Sequence, residues 1–166
     1  MNLTDQQLLR YSKTNIPDLY HLELVPEWSV FGGLTFKSAK NRCSFLSPNR
    51  NQMVNKFFSE LTTRLGITRL GYWWRLESSS KGDIHNHFVI AHVPQWTPEE
   101  ICNHCRNVAK PIGIFVKVEP FNNESKDEEG VRLGLRYVTK ITVRNPELEK
   151  PYYSRQLTLD LKKGKK

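Results

Sequence analysis

Leu76-Glu77-Ser78-Ser79-Ser80-Lys81-Gly82-Asp83-Ile84-His85-Asn86-His87-Phe88-Val89-Ile90-Ala91-His92 is the stretch around which this chain is organised. Ile84–Ala91 is an apolar, β-prone run and reads as a strand. Side chains two apart on a strand share a face, so His85 and His87 project together. Phe88 and Ile90 then point the other way, into a core. Ser78–Gly82 has the chemistry of a hairpin turn and folds back onto Leu70–Glu77, a second strand. That pairing predicts Glu77 beside the two imidazoles. Two neutral imidazoles and a carboxylate suit one divalent metal with open positions. Alone the signal is weak, because most His-x-His pairs in basic proteins are surface or core histidines.

On either side of this hairpin the pattern alternates between strand and helix. Upstream, Phe31–Lys37 reads as a strand opened by glycines, and a basic loop, Lys37–Arg50, leads to a helix from about Asn51 to Leu65. Met53, Val54, Phe57, Phe58, Leu61 and Leu65 give that helix one buried face, and Gly66 is its expected C-cap. Downstream, Thr97-Pro98-Glu99-Glu100 opens a helix to Lys110, stopped by Pro111, and Ile112–Val118 is a fourth strand. Asn122–Glu129 is a polar, acidic loop expected to be solvated. Gly130–Thr142 is a last helix, with Val131, Leu135 and Val138 on one face, broken by Asn145-Pro146. The order predicts a ferredoxin-like or RRM-like α+β sandwich, an antiparallel sheet with helices on one face. Residues 1–30 are expected as an N-terminal extension with a short helix at 3–12 and an irregular Ile16–Trp28, and 146–166 as a basic tail with one alternating piece, Gln156–Leu161.

With 166 residues and 38% hydrophobic content the chain suits one folded domain. No apolar run reaches membrane-span length, and the N-terminus lacks a signal-peptide layout, so a cytoplasmic protein without membrane contact is expected. The net charge of +8 is concentrated in 31–122 and 131–166. A basic body points to a polyanion, nucleic acid first, although charge also serves solubility. Cys102-Asn103-His104-Cys105 resembles half a zinc knuckle, but a closed structural site needs four ligands and no second pair exists. Buried helix cysteines are the better reading.

The last helix carries Tyr137-Val-Thr-Lys140, a tyrosine and a lysine on one helical face. Tyr-x-x-Lys alone is nearly worthless as a motif. In order with Phe31-Gly-Gly-Leu-Thr-Phe36 and His85-Asn-His87, however, it resembles the rolling-circle replication initiators of the HUH endonuclease superfamily, over residues 31–140. The resemblance implies an HUH endonuclease domain over about 31–145, with Tyr137 as nucleophile, His85, His87 and Glu77 as ligands of Mg²⁺ or Mn²⁺, and Lys140 assisting the tyrosine. Asn86, where the family usually has a bulky apolar residue, and Gly33 depart from the pattern.

The implied activity is sequence-specific nicking and joining of single-stranded DNA at a plasmid or viral replication origin, through a covalent 5′-phosphotyrosine link. A separate helicase and a host polymerase would complete replication, since the chain has no Walker-type motif. Basic residues would hold phosphates. Lys37, Lys40, Arg42 and Arg50 in the loop, Lys81 in the hairpin and Arg136 beside the tyrosine are the candidates. Tyr152 and Tyr153 are rival nucleophiles. A single-tyrosine transposase of the same superfamily, or a non-catalytic nucleic-acid-binding module on a ferredoxin-like sheet, are the alternatives.

Overall fold

The computed structural model describes residues 16–36, 47–78, 84–139 and 151–163. The helix expected at 3–12, Cys43, and the candidates Lys37, Lys40, Arg42, Lys81 and Lys140 lie outside them. The elements in chain order are α1 (Ile16–Glu23), β1 (Trp28–Phe36), α2 (Ser47–Arg64), β2 (Tyr72–Ser78), β3 (Ile84–Ala91), α3 (Pro98–Ile112), β4 (Ile114–Pro120), α4 (Leu133–Thr139), β5 (Tyr152–Tyr153) and α5 (Arg155–Lys163). The strands form one five-stranded antiparallel sheet in the order β4-β1-β3-β2-β5. This is an α+β architecture compatible with a ferredoxin-like sandwich. No helix among the described residues is long and apolar enough to cross a membrane.

The sheet's two faces carry separate cores. On one, Val30, Leu34, Leu76, Phe88 and Ile90 meet Val54, Phe57, Phe58 and Leu61 of α2 and Ile101 and Cys105 of α3. On the other, Trp73 and Val89 meet Leu19 and Leu22 of α1, Leu135 and Val138 of α4, and Leu157 of α5. The expectation of helices on one face is therefore corrected: both faces are covered. Leu19, Leu22, Val25 and Trp28 of the segment expected as an extension, and Leu157 of the expected tail, are part of that second core.

Local signals explain the boundaries. α3 is capped by a reciprocal box in which the Glu100 amide donates to Thr97 Oγ1 (3.2 Å) and the Thr97 amide to Glu100 Oε2 (2.9 Å). Pro111 does not stop this helix as expected. It sits in the final turn, where only one backbone hydrogen bond is forfeited, and Gly113 (φ 80°) closes the end. α1 replaces the irregular segment expected there, because Pro17 falls in its first turn, where a missing N–H costs nothing. α2 starts at Ser47-Pro48 rather than at Asn51 for the same reason. The acidic loop is ordered rather than merely solvated: Asp127 Oδ1 accepts from the amides of Glu129 and Val131, both at 2.9 Å.

Candidate functional site: a Glu-His-His cluster facing a tyrosine helix

Antiparallel register turns three separate pieces of sequence into ranks of side chains on the α4-bearing face. Glu77, His85, Thr35 and Phe115 are aligned across β2, β3, β1 and β4. The next rank is Arg75, His87, Gly33 and Lys117; the third is Trp73, Val89, Phe31 and Glu119. The expected convergence of Glu77 with both histidines is thus met by direct pairing of Glu77 with His85, with His87 one rank along.

Glu77 Oε2 lies 3.2 Å from His85 Nε2 and makes a shorter contact still with His87 Nε2. Glu77 (3% exposed) and His87 (4%) are buried, while the His85 side chain is 29% exposed. One potential ligand atom from each residue lies within 4.8 Å of the others, so the three could hold a metal ion. The fit is chemical as well as geometric. Holding an ion would require both imidazoles to carry their proton on Nδ1 and present Nε2 as a lone pair. Without one, an Nε2–H can donate to the carboxylate, which offsets the cost of burying its charge.

Tyr137 projects from α4 onto this cluster. Its ring meets the edge of His87 (centroids 5.4 Å apart, 83° between planes) and of Phe31 (6.0 Å, 78°). Tyr137 therefore touches one residue from each of the other two ordered motifs. Gly134, one turn before Tyr137, lets α4 approach: a Cβ there would stand 2.5 Å from the Phe121 ring. α4 itself is shorter at its start than expected, Leu133 rather than Gly130, because Gly130 (φ 78°) closes the Asp127 turn.

Two arginines hold α4 in place. The Arg132 guanidinium donates to the carbonyls of Leu22 and Glu23 at the end of α1 (3.3 and 3.1 Å) and of Val25 just beyond it (2.8 Å), and pairs with the Glu23 carboxylate at 3.1 Å. Glu23 Oε1 in turn accepts from the Arg132 amide at 2.7 Å, at the start of α4. Arg136, expected to contact DNA, is instead turned inward. Its side chain is 4% exposed, with Nε 2.5 Å from Asp127 Oδ2 and Nη2 2.5 Å from Glu129 Oε2. Burial alone would lower its pKa, but the two carboxylates more than offset this and hold it above the ordinary arginine value. Arg50, also expected at the DNA, is buried at the start of α2, and desolvation lowers its pKa.

The rival tyrosines are separated from the cluster. Tyr152 pairs with Trp74, on the face opposite Glu77. Tyr153 shares the cluster's face but donates to Asp18 Oδ1 at 2.7 Å; burial first, then that carboxylate, raises its pKa far above that of free tyrosine. Trp73 and Trp74 are both packed in cores. Cys102 and Cys105 are free thiols buried in α3, with burial pushing Cys102 up to about 11, as expected for core residues rather than zinc ligands. Asn86 is fully buried on the α2/α3 face, and its side-chain amide meets no hydrogen-bond partner among the described residues.

A cleft of about 760 Å³ opens over the cluster, bounded by Phe31, Gly33, His85, His87, Lys117 and Tyr137 among others. Lys117 was not among the expected site residues. The alternation of Phe115, Lys117 and Glu119 along β4 is the signal that marks them as sharing one face. No family model matches this chain, and no curated protein or solved structure is significantly similar to it.

Proposed function

We propose that this chain is a metal-dependent DNA endonuclease and strand transferase, which nicks and rejoins single-stranded DNA at a replication origin in the manner of an HUH rolling-circle initiator. One observation carries the reading: His87 of the Glu77–His85–His87 cluster meets the Tyr137 ring, and His85, His87 and Tyr137 bound one cleft. A nucleic-acid-binding module needs only basic and aromatic side chains; the buried carboxylate between two imidazoles beside a tyrosine supports the enzyme.

In this reading Mg²⁺ or Mn²⁺, held by Glu77, His85 and His87, would polarise the scissile phosphate and offset the charge that develops on it. Tyr137 supplies the nucleophile. Its phenolic oxygen bonds to phosphorus, the bond from phosphorus to the 3′ oxygen breaks, the phenol gives up its proton, and the departing oxygen takes one up. A 3′-hydroxyl and a 5′-phosphotyrosine result. One ester replaces another, so the 3′-hydroxyl can reverse the step and rejoin strands. Lys140, three residues beyond Tyr137, is assigned the stabilisation of phosphate or phenolate charge.

The test is to incubate the protein with a pool of single-stranded oligonucleotides and Mn²⁺, then resolve it on a denaturing gel. A covalent adduct is expected, absent in chelator and absent for Tyr137→Phe, with the DNA mapped to Tyr137. An adduct on Tyr152 or Tyr153 would overturn the assignment of the nucleophile, and no adduct with either metal would overturn the enzyme.

A further inference from the structure

We infer that Phe115 and Lys117 of β4 form a nucleotide subsite beside the metal cluster, Phe115 stacking on a base and Lys117 holding a phosphate of the same single strand. The identity of the ligand rests on the function proposed above; the subsite itself rests on register and exposure. Phe115 is one of the few large apolar side chains left in solvent, at 57% exposure. It stands in the same rank as Glu77 and His85, separated from His85 by Thr35. Lys117 stands in the rank of His87, separated from it by Gly33. Each is two strand spacings from its histidine, or ~10 Å.

The intervening floor is low. Gly33 offers no side chain, and a Cβ there would come within 3.0 Å of the Asn86 carbonyl and 4.0 Å of His87 Nδ1. A strand laid across Gly33 could therefore approach the sheet backbone between Lys117 and His87. An aromatic ring and a cation two residues apart on one face combine the two elements of single-strand binding: a sequence-tolerant stacking platform and a phosphate contact. Lys117 is the one Lys or Arg among the described residues bounding the cleft. Glu119, in the third rank, opposes a phosphate there, which directs the strand toward the first rank. That is the end at which β1 finishes, and the sequence beyond it carries Lys37, Lys40 and Arg42. The competing explanation is that Lys117 only guards the edge strand β4 against pairing with another chain, and that explanation predicts no effect on DNA.

The experiment measures anisotropy of a labelled single-stranded oligonucleotide pool in chelator, on a Tyr137→Phe background, so that binding is read apart from metal and covalent linkage. Phe115→Ala should weaken binding by about 5- to 150-fold, the range for loss of one base stack, and Phe115→Trp should restore it. Lys117→Gln should reduce the log–log salt slope by about 0.7, the value for one phosphate on a single strand. Unchanged affinity in Phe115→Ala, or no recovery with Trp, overturns the stacking half. An unchanged slope in Lys117→Gln overturns the phosphate half. A parent protein that binds DNA but forms no adduct overturns the endonuclease and leaves the subsite standing. One that forms the adduct while Phe115→Ala binds normally and Lys117→Gln keeps the parent slope overturns the subsite alone, and one that binds no single strand overturns both.

Discussion

At the residue scale the site depends on Glu77, a carboxylate buried to 3% exposure whose charge is tolerable only beside matching partners. The two imidazoles supply that match, and His87 is the more enclosed of them. If Glu77, His85 and His87 hold an ion as proposed, removing His87 should cost it a buried ligand without touching the basic residues proposed to hold DNA. His87→Ala is expected to lose Mn²⁺-dependent cleavage but keep most of its DNA affinity. A second readout needs no activity: Mn²⁺ at a hundred times its dissociation constant should stabilise the parent by about 2.7 kcal/mol, and His87→Ala much less. Equal Mn²⁺-induced shifts in melting temperature, or undiminished nicking by His87→Ala in chelator, would sink the metal assignment. Tyr153 offers the complementary test. Its hydroxyl is held protonated by burial and Asp18, so Tyr153→Phe should retain the adduct while losing about 1 kcal/mol of stability in urea, the worth of one buried hydrogen bond.

At the element scale the described part of the tyrosine helix, Leu133–Thr139, is fixed by contacts its neighbours make with its first turn. Arg132 is central to this, because one guanidinium satisfies the end carbonyls of Leu22 and Glu23 in α1 while Glu23 bonds back to the start of α4. Arg132→Ala would leave both the carboxylate and those carbonyls short of partners. It should destabilise the fold by about 3 kcal/mol or more and slow adduct formation in the folded fraction; urea unfolding and single-turnover adduct rates read the two effects separately. In α3, burial raises the Cys102 thiol to about 11, above its unfolded value of about 8.5. The neutral form is favoured in the folded state, so its stabilisation is complete below pH ~8.5 and is lost as pH rises toward 11. Denaturant midpoints at pH 7 and pH 10 should differ more for the parent than for Cys102→Ala.

What the sequence made legible divides along the same lines. The period-two pattern of Ile84–Ala91 located the histidines, because alternation fixes a face without any long-range information. α1 was missed because Pro17 and Pro26 read as breakers, although one of them lies in a first turn. α5 was missed because Leu157 and Leu161, four apart, satisfy a helix as well as the alternating pattern does; the decisive signal is the Ser154 cap, whose Oγ accepts from the Leu157 amide at 3.2 Å. Arg136 was misplaced for a different reason. Its partners Asp127 and Glu129 become neighbours only when the acidic loop folds back on α4, and no local pattern encodes that return.

At the scale of the whole molecule, a net charge of +8 overstates what a polyanion would meet. Arg50, Arg75, Arg132 and Arg136 are buried, Arg75 against the Trp73 ring and the last two in ion pairs. These arginines serve the fold. If the remaining charge binds single-stranded DNA, the logarithm of affinity should fall linearly with the logarithm of salt, by about 0.7 for each phosphate contacted. Buried and exposed cations should then separate cleanly. Arg136→Gln should lower the unfolding midpoint, since it strands Asp127 in a site that expects a cation, but among molecules still folded it should leave the salt slope alone. Exposed cleft residues should do the reverse, changing the slope without changing stability. A flat salt dependence in the parent protein would mean that its charge serves solubility, and the nucleic-acid reading of the cleft would fall with it.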